Sequence, residues 1–336
     1  MARFIAKRLL AFPVLLLGIT VLTFLVSHLT PIDPVVANLG DVAVTNPQIV
    51  AAYRARWGLD RPLIVQYGVY VTHLMRGEFG VSLTSRRFVA DDLKEYFPAT
   101  LELATAAIIV AASIGGVLAI LGTLAGSRGV RVIDLLALVQ VSIPIFWLGL
   151  VVLALVNLYL PAIPTLGQLD PGLVPPPHVT GLVLVDAGLS GNWGVFSNAL
   201  AHLFIPALVL ASYWIGVIAI LLRGNLADAL SADYVRTARG KGLPPHAIVL
   251  RHALRNAVFP VLTILGVLYG QLLGGAVLTE SIFSWPGLGF YAFQAATNID
   301  FPGIMGVTLI VAGSFASVNL LVDLSYALLD PRIRFE

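Results

Sequence analysis

Six stretches of this chain are apolar over roughly twenty residues or more, at about 9 to 29, 99 to 125, 132 to 160, 199 to 222, 257 to 279 and 303 to 329. A helix needs about 20 apolar residues to cross the hydrocarbon layer of a bilayer, and only helices or closed barrels satisfy their own backbone hydrogen bonds there. The pattern predicts an all-α polytopic membrane domain occupying residues 1–336, with six spans. Composition agrees: 58% of the residues are hydrophobic, 11% are charged, and the mean hydropathy is +0.91, outside the range of soluble domains. The first stretch follows a charged start, Met1 to Arg8, as a signal peptide does. It runs on to Leu29 without a small-residue cleavage site, so it is read as a retained span.

Orientation follows from Lys and Arg. Arg3, Lys7 and Arg8 precede the first span, Arg128 and Arg131 separate the second and third, six basic residues lie at 223 to 256, and Arg332 and Arg334 end the chain. Thirteen of the 20 basic residues thus fall on one side, and the connections at 161 to 198 and 280 to 302 have none. The positive-inside rule predicts that both termini are cytoplasmic. The other seven basic residues lie in a first outer segment, 30 to 98, with seven acids. Two surface helices are expected there, one begun by Asn46-Pro47 and one by Asp60-Arg61-Pro62. The 161 to 198 connection is rich in proline and glycine and reads as an irregular outer cap.

Several chemistries lack residues to carry them. There is no G-x-x-x-x-G-K-[S/T] to cradle ATP phosphates, and no cysteine for disulfide, thiolate or thiolate–metal chemistry. The six histidines have no metal-ligand spacing. A net charge of +2 gives nucleic acid no footprint. The acids near spans, Glu102, Asp134, Glu280 and Asp323, all sit near predicted ends, as interfacial or interhelical hydrogen-bonding groups do. No cofactor or metal is expected in this chain, and it is not read as an enzyme.

The 223 to 256 loop is the richest segment. Ser231 can cap a helix through Tyr234, Val235, Arg236, Thr237, Ala238, Arg239 and Gly240, with Lys241-Gly242 as its stop. Val235 and Ala238 give it an apolar side, and Arg236 and Arg239 align three apart. Pro244-Pro245 opens a second helix carrying Arg251, His252 and Arg255 toward the membrane. Such a loop can hold itself inside by contact with anionic lipid heads; its helix, glycine stop, double proline and second helix also suit a protein socket. In the fifth span Gly266, Gly270 and Gly274 recur every four residues, a small-residue stripe for helix packing or a gate. Pro144, Pro206 and Pro260 can bend their spans. Trp285-Pro286-Gly287 reads as an outer lid, as a contact for a delivering protein, or as a plain reversal of the chain.

The run Asp233 to Leu243 with His252-Ala-Leu-Arg-Asn256 resembles the loop by which permeases of ABC importers, of the dipeptide/oligopeptide/nickel family, dock onto their ATPases. The general signature E-A-A-x-x-x-G reads Arg236, Thr237, Ala238 and Gly242 here, so its Glu is missing. Further likenesses are Gly58-Leu-Asp-Arg-Pro62, Gln66-Tyr67, Gly77-Glu-Phe-Gly80, Pro144-Ile-Phe-Trp147, Thr279 to Gly289, Asn319 to Asp323 and Asp330-Pro-Arg-Ile-Arg334. Pro31-Ile32-Asp33-Pro34 departs from the family, which often has Gly at the second place. The long 161 to 198 loop, with Gly181 to Asp186, is similar to the dipeptide branch. The resemblance implies a peptide-importer subunit in the cell (inner) membrane that forms half of a translocation pathway. It implies a second homologous permease, two ATP-binding cassette subunits holding ATP and Mg, an extracytoplasmic substrate-binding protein, and surrounding membrane lipid. The other readings are a nickel, haem or small-solute importer of the same family, and a stand-alone secondary carrier.

Overall fold

The computed structural model of the chain describes residues 2–29, 35 and 46–329. The Pro31 to Pro34 turn and the terminal Arg332 and Arg334 lie outside the described residues. Fourteen helical segments carry the argument: α1 (Ala2–Leu29), α2 (Pro47–Trp57), α3 (Leu63–Met75), α4 (Val89–Leu124), α5 (Gly126–Ser142), α6 (Ile145–Tyr159), α7 (Val183–Leu189), α8 (Trp193–Ser231), α9 (Asp233–Gly240), α10 (Pro245–Ala247), α11 (Leu254–Gly275), α12 (Val277–Ile282), α13 (Leu288–Thr297) and α14 (Phe301–Leu329). A π-helical turn, Ile248–Ala253, joins α10 to α11. Among the described residues no β-strand forms; Val81 and Phe88 make an isolated antiparallel bridge.

Five helices among the described residues are long and apolar enough to cross a membrane, six if α5 and α6 together count as one. The protein is thus a multi-pass membrane protein. Two expected boundaries move considerably: the second span belongs to a helix that begins ten residues earlier, at Val89, and the fourth continues to Ser231 instead of ending at 222. The expected straight third span, 132 to 160, is a broken one. It turns by 94° between α5 and α6, because Pro144 has no N–H to offer and the residue before a proline avoids the helical region; Ile143 is extended, with φ −86° and ψ 123°. Pro206 and Pro260 sit inside helices that continue through them.

Two compact units can be distinguished. The first comprises Met1–Thr100, Leu273–Val277 and Pro286–Glu336. In it α1 packs along α14 and α3, and α13 packs on α14. Its core joins Val89, Leu93, Leu288, Tyr291 and Val307. A Cβ added at Gly306 would fall 2.5 Å from Val89 Cγ1, so only glycine allows this approach of α14 to the start of α4. The start of α14 is capped by the wholly buried Asp300, which accepts from Gly303 N at 3.1 Å and Thr84 N at 3.2 Å, and from the Ser82 hydroxyl. Asn46 caps α2 as expected, accepting from Gln48 N and Ile49 N. Asp60 does not cap α3: it pairs with Arg54 at 3.3 Å, and Pro62 takes the N-cap position.

The second unit, Leu101–Leu272 and Leu278–Trp285, is built around α8, on which α5, α6, α7, α9 and the π turn pack. Phe283 joins Val156, Ile205 and Val209 in its core. The 161 to 198 connection is irregular up to Leu182, as its prolines suggest, and adds one short helix, α7; hydrogen bonds hold its irregular part in place. Buried Asp186 accepts from the Thr180 hydroxyl at 2.7 Å and from the N–H groups of Thr180, Gly181 and Val179 at 2.8, 3.0 and 3.2 Å. Burial works against its charge, but these donors outweigh it and hold the carboxyl below its ordinary range. Glu102 of α4 reaches the same loop, accepting from Leu184 N at 2.7 Å and Gln168 Nε2 at 3.2 Å. His202 of α8 places Nδ1 3.0 Å from Leu166 O and Nε2 3.1 Å from Asp170 Oδ1.

Candidate coupling loop

The 223 to 256 loop is more compact than its sequence suggests. Arg223 belongs to α8, where its Nε lies 2.8 Å from Asp134 Oδ1 of α5. Helix α9 is two turns long and carries no side-chain cap; Ser231 instead donates back to Asp228 O at 2.7 Å, inside the last turn of α8. The stop is as expected. Gly242 has φ +75°, its N–H meets Arg239 O at 2.9 Å, and Leu243 N–H meets Ala238 O at 3.3 Å. That pair of bonds is the Schellman arrangement, which needs a left-handed residue after the helix. Nothing lies within 4 Å of a Cβ built on Gly242, so glycine is required there by the backbone alone.

The apolar side of α9 is turned toward its own chain. Val235 and Ala238 are buried with Ile248 of the π turn, and Leu230 of α8 packs on them. What α9 offers to solvent is the other side: Tyr234, Arg236, Thr237, Arg239, Gly240, Lys241 and Gly242 are exposed. Arg236 bonds Asp233 at 3.2 Å, but its side chain stays 77% exposed, so the pair contributes little and leaves donors free. Of the second half, Arg251 and Arg255 are exposed and His252 is partly so. The structure therefore gathers the basic residues of α9 on the open side of a fixed element. Ala238, on the apolar side read from the sequence, is covered by residues of this chain.

The glycine stripe of α11 is divided. Gly270 is buried, Gly266 half-buried and Gly274 exposed; a Cβ at Gly274 would fall 3.0 Å from Val311 Cγ1. Tighter approaches occur where no stripe pointed. A Cβ at Gly115 of α4 would lie 2.8 Å from Ile215 O, and one at Gly216 of α8 would lie 3.0 Å from Ala137 O. A Gly-Gly pair in the middle of a span was the available signal for the first. Trp285 is 1% exposed and its N–H bonds Glu280 O at 2.8 Å. Gly287 begins α13 in extended backbone and is buried, while Pro286 is half-buried. The indole is thus a core group and presents no free face. No group of three or more His, Cys, Asp or Glu among the described residues could hold a metal.

The comparisons agree with this architecture. The family model described as "Binding-protein-dependent transport system inner membrane component" matches residues 97–335, and its N-terminal companion matches residues 1–104. The chain is 45% identical to the probable D,D-dipeptide transport system permease protein DdpB of Escherichia coli K12, over 94% of this chain and 93% of that protein. It is 42% identical to the di/tripeptide transport system permease protein DppB of Pseudomonas aeruginosa over the full length of both. Against DppB of Escherichia coli K12, the dipeptide transport system permease, the identity is 40% over 99% of each. With two matched models spanning the chain and relatives aligned almost end to end, this protein belongs to the inner membrane components of binding-protein-dependent transport systems, the ABC importer permeases that its sequence resembles.

Proposed function

We propose that this chain is one of two membrane subunits of an ATP-driven importer of di- and oligopeptides, and that it forms half of the translocation pathway. Its domain is a single membrane domain with both termini in the cytoplasm of a cell whose inner membrane it spans. Residues 30–98 and 161–198 face outward, where a substrate-binding protein delivers the peptide, and residues 223–256 face inward. ATP and Mg belong to two partner ATPases, and the chain contributes no ATP chemistry of its own.

The observation that carries this reading is the division of α9 into a self-buried apolar side and an open basic side. A loop that only touched lipid heads needs charge, not an exact helix stop and an apolar pad. We place Tyr234, Arg236, Thr237, Arg239 and Lys241 at the ATPase surface, with Arg251 and Arg255 beside it, while Val235 and Ala238 hold the helix from beneath. Charge reversal at Arg236 and Arg239 together leaves the pad intact. It should detach or uncouple the ATPase while the subunit remains inserted. The measurements are copurification of the ATPase and substrate-stimulated ATP hydrolysis in the reconstituted complex; wild-type values for both would remove the docking role and return the loop to the lipid surface.

A further inference from the structure

The first unit contains two adjoining cavities that share Tyr53, Trp57, Phe79 and Gly80 as a common wall. The inner one encloses about 700 Å³ of empty space, part of it open to solvent, and is lined chiefly by Phe24, Tyr70, Phe301, Pro302 and Met305 beside the shared aromatics. The other, about 1150 Å³ and also partly open, adds Arg56, Glu78 and Asp91. The space a water centre can occupy is about 90 Å³ in the inner cavity and about 520 Å³ in the other, so the charged one reaches the size at which clefts hold ligands and the inner one takes only a short segment.

The polar groups that His28, Gln66, Ser27 and Tyr70 bring to the inner wall are satisfied within the chain. His28 Nε2 meets Gln66 Oε1 at 3.0 Å, and Gln66 Nε2 donates to Leu59 O and Arg61 O. Ser27 donates to Phe24 O at 2.8 Å, and the Tyr70 hydroxyl lies 3.3 Å from that of Thr23. A largely aromatic wall with these four groups already bonded favours an apolar occupant. The charged cavity is different. Arg56 uses one donor on Glu78 at 2.8 Å and its side chain remains 60% exposed, so further donors of its fork are available. His73 also bonds Glu78, at 2.7 Å, and these two hydrogen bonds hold the carboxyl of Glu78 below its ordinary range. Asp91 is half exposed, 3.6 Å from Lys94.

Position selects among amphiphiles. Phe24 to His28 are the last two turns of the span in α1, and Phe301 to Met305 are the first turns of the span in α14. The cavities therefore sit where two spans reach the bilayer surface, the level at which aromatic side chains gather. We propose that this pair of cavities is a phospholipid site for a zwitterionic lipid with a primary amine, phosphatidylethanolamine, from the leaflet that meets the Leu29 end of α1. An upper acyl segment lies in the aromatic chamber. The phosphate takes donors of Arg56, and the ammonium is held by the carboxylates of Glu78 and Asp91.

The test uses the full chain in its assembled complex, extracted from membranes and returned to nanodiscs of defined lipid. Native mass spectrometry counts lipid retained after delipidation from phosphatidylethanolamine, phosphatidylcholine or phosphatidylglycerol. The expected result is retention of the amine lipid at least about tenfold above the other two, since the trimethylated head has no N–H to donate and the glycerol head has no cation. Arg56→Gln and Asp91→Asn, both on exposed side chains, should each lower that retention about tenfold with unchanged thermal stability in amine-free nanodiscs. Equal retention of the three lipids, or wild-type retention in either variant, would overturn the assignment. Displacement of the lipid by a soluble zwitterionic dipeptide would also overturn it, by making the site one for peptide.

Discussion

Gly115 and Gly116 are neighbours in α4, and the structure separates their fates. A methyl at Gly115 would stand 2.8 Å from the carbonyl oxygen of Ile215, 3.0 Å from Ile218 Cβ and 3.1 Å from Ile218 Cγ2. The first of these is backbone, which cannot rotate aside, so α4 and α8 must part by several tenths of an ångström. Overpacking of this kind costs about 1–3 kcal/mol. Replacing a mid-helix glycine by alanine returns roughly 0.8–1.0 kcal/mol in helix propensity, so Gly115→Ala should be destabilising by up to about 2 kcal/mol. At Gly116 the nearest atom is Leu222 Cδ2 at 4.0 Å, an ordinary contact, and Gly116→Ala should be stabilising by up to about 1 kcal/mol. The pair shares sequence context and span depth, so the difference isolates the helix contact. Unfolding of each variant in mixed micelles, followed by circular dichroism against denaturing-detergent fraction, reads it directly. Equal stability of the two, or the reverse order, would show that α4 and α8 do not approach as described.

Two further predictions rest on other parts of the chain. Because the protein has no cysteine, single cysteines at exposed Ser190 and Ser231 report topology; an impermeant thiol reagent should label position 190 in intact cells and position 231 only after the membrane is opened, and the opposite pattern would invert the proposed orientation. The Asp186 clamp should resist acid: its folded carboxyl titrates below the ordinary value, so its contribution is complete above about pH 4 and is lost only as pH falls through the depressed value. Hydrogen exchange at Val179 to Gly181, corrected for intrinsic rates, should stay protected from about pH 7 down past the ordinary carboxylate value, to about pH 3.5, and lose protection in Asp186→Ala; protection that fades near the ordinary carboxylate value in the wild type would contradict the sign of the shift.

Much of the architecture could be read from local pattern. Spans announce themselves by length, Asn46-Pro47 by its cap, and Lys241-Gly242 by its stop, because each depends on residues a few positions apart. The elements that escaped depend on distant partners. Glu102 finds Leu184 N 82 residues away, and Asp186 organises a proline-rich loop whose composition alone suggests disorder of shape. The reach of α8 to Ser231 was hidden by Arg223, a charge that ends an apolar window but not the helix, since Asp134 of α5 lies beside it. Within the loop, the direction of Val235 and Ala238 could not be known before α8 and the π turn were placed. An apolar side on a short helix says that something covers it, and here Leu230 and Ile248 do.

That pad has a mechanical meaning. Leu230 lies in the last turn of α8, and Ile248 opens the turn that leads into α11. A displacement applied to the exposed side of α9 thus passes through close-packed methyl groups into the feet of two spans at once. Packed side chains have low compressibility, so little of the stroke is lost in between. Had the same charges hung on an open loop, slack would have absorbed the movement; seated on this pad, α9 would serve the proposed docking role as a stiff pushrod with two outputs.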